Sequence, residues 1–329
     1  MRGDATIEQC AALISGTAAS SLGSLWIRAY LQRAQDAPVV AIDREHDPEI
    51  LNFRSVRTVP FDLNPLNHSS GFVQFVEQLH AALGTAHEAL GFDGLSTFIS
   101  GAGAYDSGPL VDSTIEARRR LLGVNVCGNL ELLVAALAVN KRLGFDSSGQ
   151  LSFLEIGSMR GLQVSPGRAA YAASKAFGLD LCISLDQEGQ VRRTLYIAPG
   201  PIDTHMFHRN YWVTKEGGPV EFLDYVRTKR PELYRDIFIR GDAHAFAEAA
   251  ASARMSRETL APVFERYKAR RMAQLADSRG ILDAAELAER LVDLALDAAA
   301  YPSGAYVFTA PGGRMQMEKL DFSDLIRRD

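Results

Sequence analysis

Short apolar runs alternate with longer amphipathic segments along most of the chain. The runs predict strands at residues 11–15, 39–42, 58–61, 93–100, 151–156, 194–197 and 304–309. The amphipathic segments predict helices at residues 24–31, 71–90, 113–143, around Tyr171, and at 284–300. This alternation is typical of an α/β fold in which helices cover both faces of a mostly parallel sheet.

A glycine-bearing turn, residues 16–23, joins the first predicted strand to the first helix. Such a turn presents backbone N–H groups and a helix N-terminus to a pyrophosphate, although any strand-to-helix turn is an alternative. Asp43 ends the second strand, where a carboxylate can bond a ribose diol and repels a 2′-phosphate. The pattern therefore favours NAD over NADP, unless Asp43 is an ordinary solvated residue.

Tyr171 and Lys175 are four residues apart on a predicted helix and so share one face. A phenol has a pKa near ~10, and a neighbouring ammonium is expected to lower it. Ser158 follows the fifth strand, where its hydroxyl can hold a substrate oxygen while Tyr171 moves a proton. A chance Tyr–Lys pair on a surface helix remains the alternative. Asn125, in the apolar segment 113–143, needs bonded partners and is more often structural than catalytic.

Small residues follow two other strands. Gly101-Ala102-Gly103 follows the fourth strand, where a cofactor can approach the backbone closely or the chain can simply turn. A Pro-Gly segment, residues 199–204, follows the sixth strand.

Taken in order, these residues resemble those of the short-chain dehydrogenase/reductase family, in its single-domain form with an enlarged substrate-loop insertion. The resemblance covers roughly residues 10–204 and 280–313. It implies a catalytic set of Asn125, Ser158, Tyr171 and Lys175. It implies a cofactor-binding set of Gly16, Ser21, Leu22, Gly23, Asp43, Asp62, Leu63, Gly101, Ala102, Gly103, Tyr171, Lys175, Pro199, Gly200, Ile202 and Thr204. The glycine turn lacks its middle glycine, and both asparagines of the Asn-Asn-Ala-Gly motif are replaced.

The resemblance implies a Rossmann-type, doubly wound, mostly parallel seven-stranded sheet with a helical lid insertion. One domain would span 1–329, with the lid at 205–280 and a tail at 314–329. The implied activity is NAD(P)-dependent interconversion of a secondary alcohol and a ketone, with Tyr171 as general acid/base and Asn125 anchoring a water that links Lys175 to solvent. The alternatives are a cofactor-dependent epimerase or dehydratase, and a catalytically silent regulatory or assembly subunit.

Residues 205–280 carry 14 Lys/Arg against 10 Asp/Glu, a net charge of +4. The aromatic and imidazole side chains of this segment are His205, His208, Tyr211, Trp212, Phe222, Tyr225, Tyr234 and Phe238. A lid of this composition predicts a bulky or anionic small-molecule substrate. The alternative is a set of amphipathic helices that pack on the body or on a partner subunit.

Composition and charge argue against several other classes of protein. The formal net charge of −5 argues against general nucleic-acid binding, and no apolar run approaches a membrane span. The three cysteines have neither metal-ligand nor disulfide-framework spacing, so no metal site is predicted. We expect a cytoplasmic protein without a signal peptide. The family resemblance further implies a homodimer or homotetramer that uses residues 284–309.

Overall fold

The computed structural model describes residues 10–18, 21–67, 71–106, 108–163, 166–276 and 280–326. The chain forms two compact units. The unit that we call the sheet unit contains the described residues up to Pro199, Ala284–Phe308, and the described residues from Met317 onward. The helical unit contains Gly200–Asp283 and Thr309–Gln316.

An eight-stranded sheet runs through the sheet unit. Its strands are β1 Cys10–Ser15, β2 Val39–Asp43, β3 Val56–Pro60, β4 Gly94–Ser100, β5 Ser152–Ile156, β6 Arg193–Pro199, β7 Gly304–Thr309 and β8 Gln316–Leu320. They lie in the order β3-β2-β1-β4-β5-β6-β7-β8, and all pairs from β3 to β7 are parallel. The predicted fold class is confirmed, but the predicted count of seven strands is wrong. The polar, exposed edge strand β8 has no apolar run by which the sequence pattern could reveal it.

The helices are α1 Leu22–Arg33, α2 Phe72–Leu90, α3 Ile115–Leu122, α4 Asn129–Leu143, α5 Ser147–Gln150, α6 Met159–Leu162, α7 Ala169–Glu188, α8 His205–Arg209, α9 Val220–Lys229, α10 Pro231–Tyr234, α11 Ala243–Ser252, α12 Arg257–Ala276, α13 Ala284–Leu296 and α14 Phe322–Ile326. A π-helical turn, Gly123–Gly128, joins α3 to α4, so the predicted helix at 113–143 is nearly continuous. Such turns often occur at functional sites, and this one carries Asn125.

The strand order reverses between β1 and β4, the place where open α/β sheets bind ligands at the strands' carboxyl ends. The two chain segments that leave these strands touch. Gly16 has φ +82°, and a Cβ there would lie 2.5 Å from the Gly101 carbonyl oxygen. Ser15 Oγ accepts hydrogen bonds from the backbone N–H groups of Gly101 and Ala102, both at 3.0 Å. Because no side chain fits between the two segments, their backbones are in direct contact at the carboxyl ends of β1 and β4.

The helix Ile115–Leu143 is long and apolar enough to span a membrane by length and composition, with an 18-residue window of mean hydropathy 1.8. Half of that window is buried inside the protein. Leu132, Leu133 and Ala136 on α4 belong to the main core of the sheet unit. Burial against the sheet therefore accounts for the apolar composition of α4.

The helical unit has an aromatic core of its own. Trp212, Phe222, Phe238 and Tyr267 are each fully buried within it. Ile202 and Leu282 form a parallel bridge inside this unit. These aromatic rings fill the interior of the helical unit, so their number is no evidence for a bulky substrate. The bulky or anionic substrate stays a prediction.

Arg193 on β6 fixes the end of α13. Its guanidinium is buried and donates to the carbonyl oxygens of Leu294, Ala295 and Tyr301, at 2.6, 2.8 and 2.5 Å. The last carbonyls of a helix lack intrahelical partners, and these bonds supply them. The predicted helix extended to residue 300, whereas α13 ends at Leu296, where the guanidinium takes over the carbonyl groups.

We expect Arg193→Met to destabilise the sheet unit by about 2–4 kcal/mol, because it leaves several buried carbonyl groups unbonded. Urea unfolding monitored by circular dichroism measures this loss. Arg192→Met at the exposed neighbouring position should change the unfolding free energy by less than about 0.5 kcal/mol. Equal unfolding midpoints for the two variants would contradict the capping role of Arg193.

Candidate functional site

The glycine turn closes on itself at the start of α1. Ser21 caps the helix, because its Oγ accepts from the backbone N–H of Ser24 at 3.1 Å and donates to the Gly16 carbonyl at 2.8 Å. A Cβ on Gly23 would lie 2.4 Å from the Gly16 oxygen, so only glycine fits there. The first turn of a helix leaves backbone N–H groups without intrahelical acceptors. Those of Leu22 and Gly23 are therefore available to an anion.

Asp43 lies half-buried at the end of β2 and is hydrogen-bonded to the glycine turn. Its carboxylate accepts from the backbone N–H groups of Ala18 and Arg44, at 3.2 and 2.7 Å. Burial raises the pKa of Asp43, and these backbone donors lower it in part. A carboxylate has about four acceptor positions, so capacity remains for a ribose diol. Ala19 and Ser20 of the predicted turn lie outside the described residues.

The segment after β3 packs against the π-helical turn. Asp62 accepts from the backbone N–H of Asn64 at 3.0 Å and from Asn67 Nδ2 at 3.1 Å, which shapes its own loop. Leu63 is buried in the core, and a Cβ on Gly128 would lie 1.8 Å from the Leu63 carbonyl oxygen. The structure thus places the predicted pair Asp62-Leu63 beside the turn that carries Asn125.

Two asparagines hold the backbone that follows β4. Asn125 Oδ1 accepts from the Ala104 N–H at 2.6 Å, and its Nδ2 donates to the Ala104 carbonyl and to Ser174 Oγ, both at 3.0 Å. Asn129 Nδ2 donates to the Ala102 carbonyl at 3.0 Å. The amide of Asn125 therefore ties the loop after β4 to α7, the helix of Tyr171. The predicted water anchored by Asn125 stays a prediction.

Ser158 and Tyr171 are brought together at the carboxyl end of β5. Ser158 caps α6 by accepting from the Arg160 N–H at 3.2 Å, and its side chain lies close enough to the Tyr171 phenol to lower the pKa of that phenol. The buried Tyr196 hydroxyl accepts from the Ser158 N–H at 3.1 Å and lies 3.0 Å from the Lys175 carbonyl, to which it can donate. One phenol on β6 thus fixes the serine segment and α7 relative to each other.

Lys175 is buried beside the backbone of Gly103. Its Nζ donates to the Ile156 carbonyl at 2.7 Å, and a Cβ on Gly103 would lie 3.7 Å from Nζ. Glu155, also buried, packs against Gly178, one turn along the same helix, where a Cβ would lie 3.0 Å from Oε1. Burial lowers the pKa of Lys175 and raises the pKa of Glu155, and each charge offsets part of the effect on the other.

The charges that act on Tyr171 differ from those predicted. Burial raises the pKa of Tyr171, and the side chain of Ser158 and the positive charges of Arg168 and Arg160 lower it in part. The prediction that Lys175 lowers this pKa below its ordinary value is therefore corrected. The Lys175 ammonium instead donates to the Ile156 carbonyl, and the charge of Glu155 raises the pKa of Lys175 in part.

The sheet unit gathers most of the predicted site residues at the carboxyl ends of β1, β2, β4 and β5. Pro199 is the last residue of β6. Gly200, Ile202 and Thr204 belong to the helical unit, in which Ile202 bridges to Leu282 and Thr204 precedes α8.

Several residues of this site were not singled out from the sequence. The most informative are Glu155, Tyr196, Tyr105, Arg160 and Arg168. Glu155 is a charged residue inside a five-residue apolar strand, an anomaly that marks a paired or functional group. The tyrosine at 196 fits an ordinary strand pattern, so no sequence signal distinguishes it.

Comparison with known proteins supports the same family. The chain is 30% identical over 132 residues to trans-4-hydroxycyclohexanecarboxylate dehydrogenase from Sinomonas cyclohexanicum, a match that spans 40% of this chain and 48% of that relative. The chain therefore matches about half the length of this curated relative.

Two solved structures share the fold. ElxO with NADP bound has a TM-score of 0.58 at 14% identity, over 93% of this chain and 98% of that chain. 4-Hydroxyisoleucine dehydrogenase complexed with NADH has a TM-score of 0.57 at 18% identity, over 92% of this chain and 98% of that chain. At these identities the likeness concerns the fold alone. The family model for short chain dehydrogenases matches residues 18–212, more than half of the chain, and the protein therefore belongs to the short-chain dehydrogenase family.

Proposed function

We propose that this protein is an NAD(P)-dependent oxidoreductase that interconverts a secondary alcohol and a ketone. The observation that carries the proposal is that the Ser158 side chain lies close enough to the Tyr171 phenol to lower its pKa, with the buried Lys175 one turn along the same helix. A hydroxyl donor next to a phenol can hold a substrate oxygen while a proton moves to or from it. Lys175 adds a fixed ammonium on α7, the helix that also carries Tyr171.

The residues at the switch point fit a nicotinamide dinucleotide. Leu22 and Gly23 offer backbone N–H groups for the pyrophosphate, and Asp43 has acceptor capacity for a ribose diol. Lys175 Nζ has two further donors beyond its bond to Ile156, which could bond the hydroxyls of a second ribose. When bound, the cofactor supplies or accepts the hydride. The carboxylate of Asp43 favours NAD, because it repels a 2′-phosphate.

Tyr171 holds and moves the proton at the substrate oxygen. Because burial raises the pKa of this phenol, Tyr171 is protonated at neutral pH and is ready to donate to a ketone oxygen. In the oxidation direction the same oxygen must first be deprotonated, so alcohol oxidation is favoured at higher pH. Ser158 donates to the substrate oxygen in either direction, and Tyr196 keeps the backbone of Ser158 in place.

A hydroxy acid is the substrate class that we favour. The relative from Sinomonas cyclohexanicum is named for a cyclic hydroxy acid, and the NADH-bound neighbour for a hydroxylated amino acid. Both names combine a carbinol with a carboxylate. A substrate panel of trans-4-hydroxycyclohexanecarboxylate, its carboxamide and cyclohexanol separates acids from neutral alcohols.

We expect wild-type protein to produce NADH from NAD⁺ with at least one member of this panel. Tyr171→Phe should lower kcat by about 10³-fold, because it removes the group that accepts the proton. NADH affinity, measured by fluorescence titration, should change by less than about threefold.

Tyr301→Phe is the matched control, since it removes a phenol hydroxyl elsewhere in the sheet unit. Full activity of Tyr171→Phe would remove this phenol from the mechanism. Absence of NADH and NADPH binding to the wild type would refute the oxidoreductase function itself.

Asp43→Asn should weaken NADH binding and strengthen NADPH binding, changing the ratio of their affinities by about tenfold or more. The substitution keeps an oxygen that can accept from Ala18 but removes the charge that repels a 2′-phosphate. Fluorescence titrations with both nucleotides measure the ratio. Asp36→Asn, at an exposed position before β2, should leave it unchanged. A wild type that binds NADPH as tightly as NADH would contradict this role of Asp43.

Glu155→Gln tests whether the buried carboxylate keeps Lys175 charged. Glu155 raises the pKa of Lys175, so its removal should lower that pKa further. We expect NADH affinity to fall off with rising pH in both proteins, and to do so about one pH unit earlier in the variant. Glu188→Gln, an exposed carboxylate at the end of α7, is the control. Identical pH profiles for Glu155→Gln and the wild type would show that Lys175 holds its charge without Glu155.

A further inference from the structure

Two arginines place positive charge around the Tyr171 phenol. Arg160 lies on α6, and its backbone N–H is bonded to Ser158 Oγ at 3.2 Å. Arg168 directly precedes α7 and is three residues before Tyr171. Both charges act on Tyr171, as the lowering of its pKa by each of them indicates. The two guanidinium groups therefore lie within electrostatic range of the phenol.

Tyr105 connects Arg168 to Tyr171. The Tyr105 and Tyr171 rings meet edge to face, with centroids 4.8 Å apart and an interplanar angle of 66°. The Arg168 Cζ lies 5.9 Å from the centroid of the Tyr105 ring. A guanidinium held over an aromatic face keeps its N–H donors free to form a bidentate pair with a carboxylate. The ring of Tyr105 thus positions Arg168 next to the phenol.

Arg168 has no ion-pair partner among the residues that the structure describes, and its side chain is half-exposed. An arginine beside a catalytic phenol, stacked on a ring and without a carboxylate partner, has the donor set that recognises a carboxylate of a ligand. Structural arginines of this chain are bonded differently. The guanidinium of Arg193, for example, is buried and bonded to helix carbonyls.

The basic residues of the helical unit are a weaker source of anion recognition. Arg230 pairs with Glu248, and Arg266 and Arg270 both pair with Glu216. These guanidinium groups neutralise carboxylates of their own unit. The net positive charge of residues 205–280 therefore overstates the charge that a substrate would meet there.

We propose that Arg168, held on the ring of Tyr105, binds the carboxylate of a hydroxy-acid or oxo-acid substrate whose carbinol or carbonyl oxygen lies at Tyr171 and Ser158. This inference rests on the proposed function and narrows its substrate class. It makes Arg168 a specificity-determining residue, since neutral alcohols of similar shape lose the charged contact.

The test compares trans-4-hydroxycyclohexanecarboxylate with its carboxamide, in the presence of NAD⁺. We expect Arg168→Gln to lower kcat/KM for the acid by about 30- to 100-fold and for the carboxamide by less than about threefold. For Arg168→Lys we expect a kcat/KM for the acid between those of the wild type and Arg168→Gln, because an ammonium keeps the charge but loses the bidentate geometry. Arg192→Gln removes an exposed arginine of the same unit and should change neither value.

A second measurement uses an acid that has no hydroxyl group and therefore cannot itself be oxidised. Cyclohexanecarboxylate should inhibit the wild type competitively against the hydroxy acid, and its inhibition constant should rise at least about tenfold in Arg168→Gln. An equal loss of activity toward acid and carboxamide in Arg168→Gln would overturn the proposal, because Arg168 would then act on Tyr171 or on folding.

Wild-type turnover of cyclohexanol or the carboxamide as efficient as that of the acid would also overturn the proposal, while the oxidoreductase function would stand. Failure of the oxidoreductase function itself would look different, since the wild type would then bind neither NADH nor NADPH.

Discussion

The backbone polar groups that follow β4 are the part of the molecule on which the site depends. The chain turns there beside β1 with no side chain in between, because Gly16 and Gly101 are in direct backbone contact. Buried backbone groups need partners, and side chains from three elements supply them: Ser15 from β1, Asn125 from the π-helical turn and Asn129 from α4. Asn125 extends this network to Ser174 on α7. The loop beside the cofactor position and the helix of Tyr171 are therefore held by one amide.

Much of this arrangement follows from the sequence, since strand and helix periodicity locate the elements to within a few residues. The order of the glycine turn, Asp43, Ser158 and Tyr171 also places these residues at the carboxyl ends of parallel strands, which share one edge of the sheet. The remainder depends on contacts between distant segments. Tyr196 looks like any strand tyrosine until its hydroxyl is seen to lie between Ser158 and Lys175. Strand β8 has no apolar face to predict it.

The electrostatics could not be predicted from spacing alone. A Tyr and a Lys four residues apart share a helix face, yet the ammonium can point toward several partners within its reach. Here a backbone carbonyl and a buried carboxylate on β5 take that charge, and the arginines act on the phenol. Glu155 and Lys175 are both buried, and the charge of each offsets part of the effect of burial on the pKa of the other. The positive charges of Arg168 and Arg160 are the ones that lower the pKa of the phenol in part.

The segment 205–280 shows why composition is ambiguous evidence for a ligand. A stretch of about 75 residues that forms a compact unit must bury its own apolar surface, and large aromatic side chains do so efficiently. Trp212, Phe222 and Phe238 serve this purpose, so their presence would be expected whatever the substrate. Charged residues on such a unit likewise pair with one another. Evidence on the substrate must come from polar groups near the Tyr171 phenol, and Arg168 is one of these, held there through the ring of Tyr105.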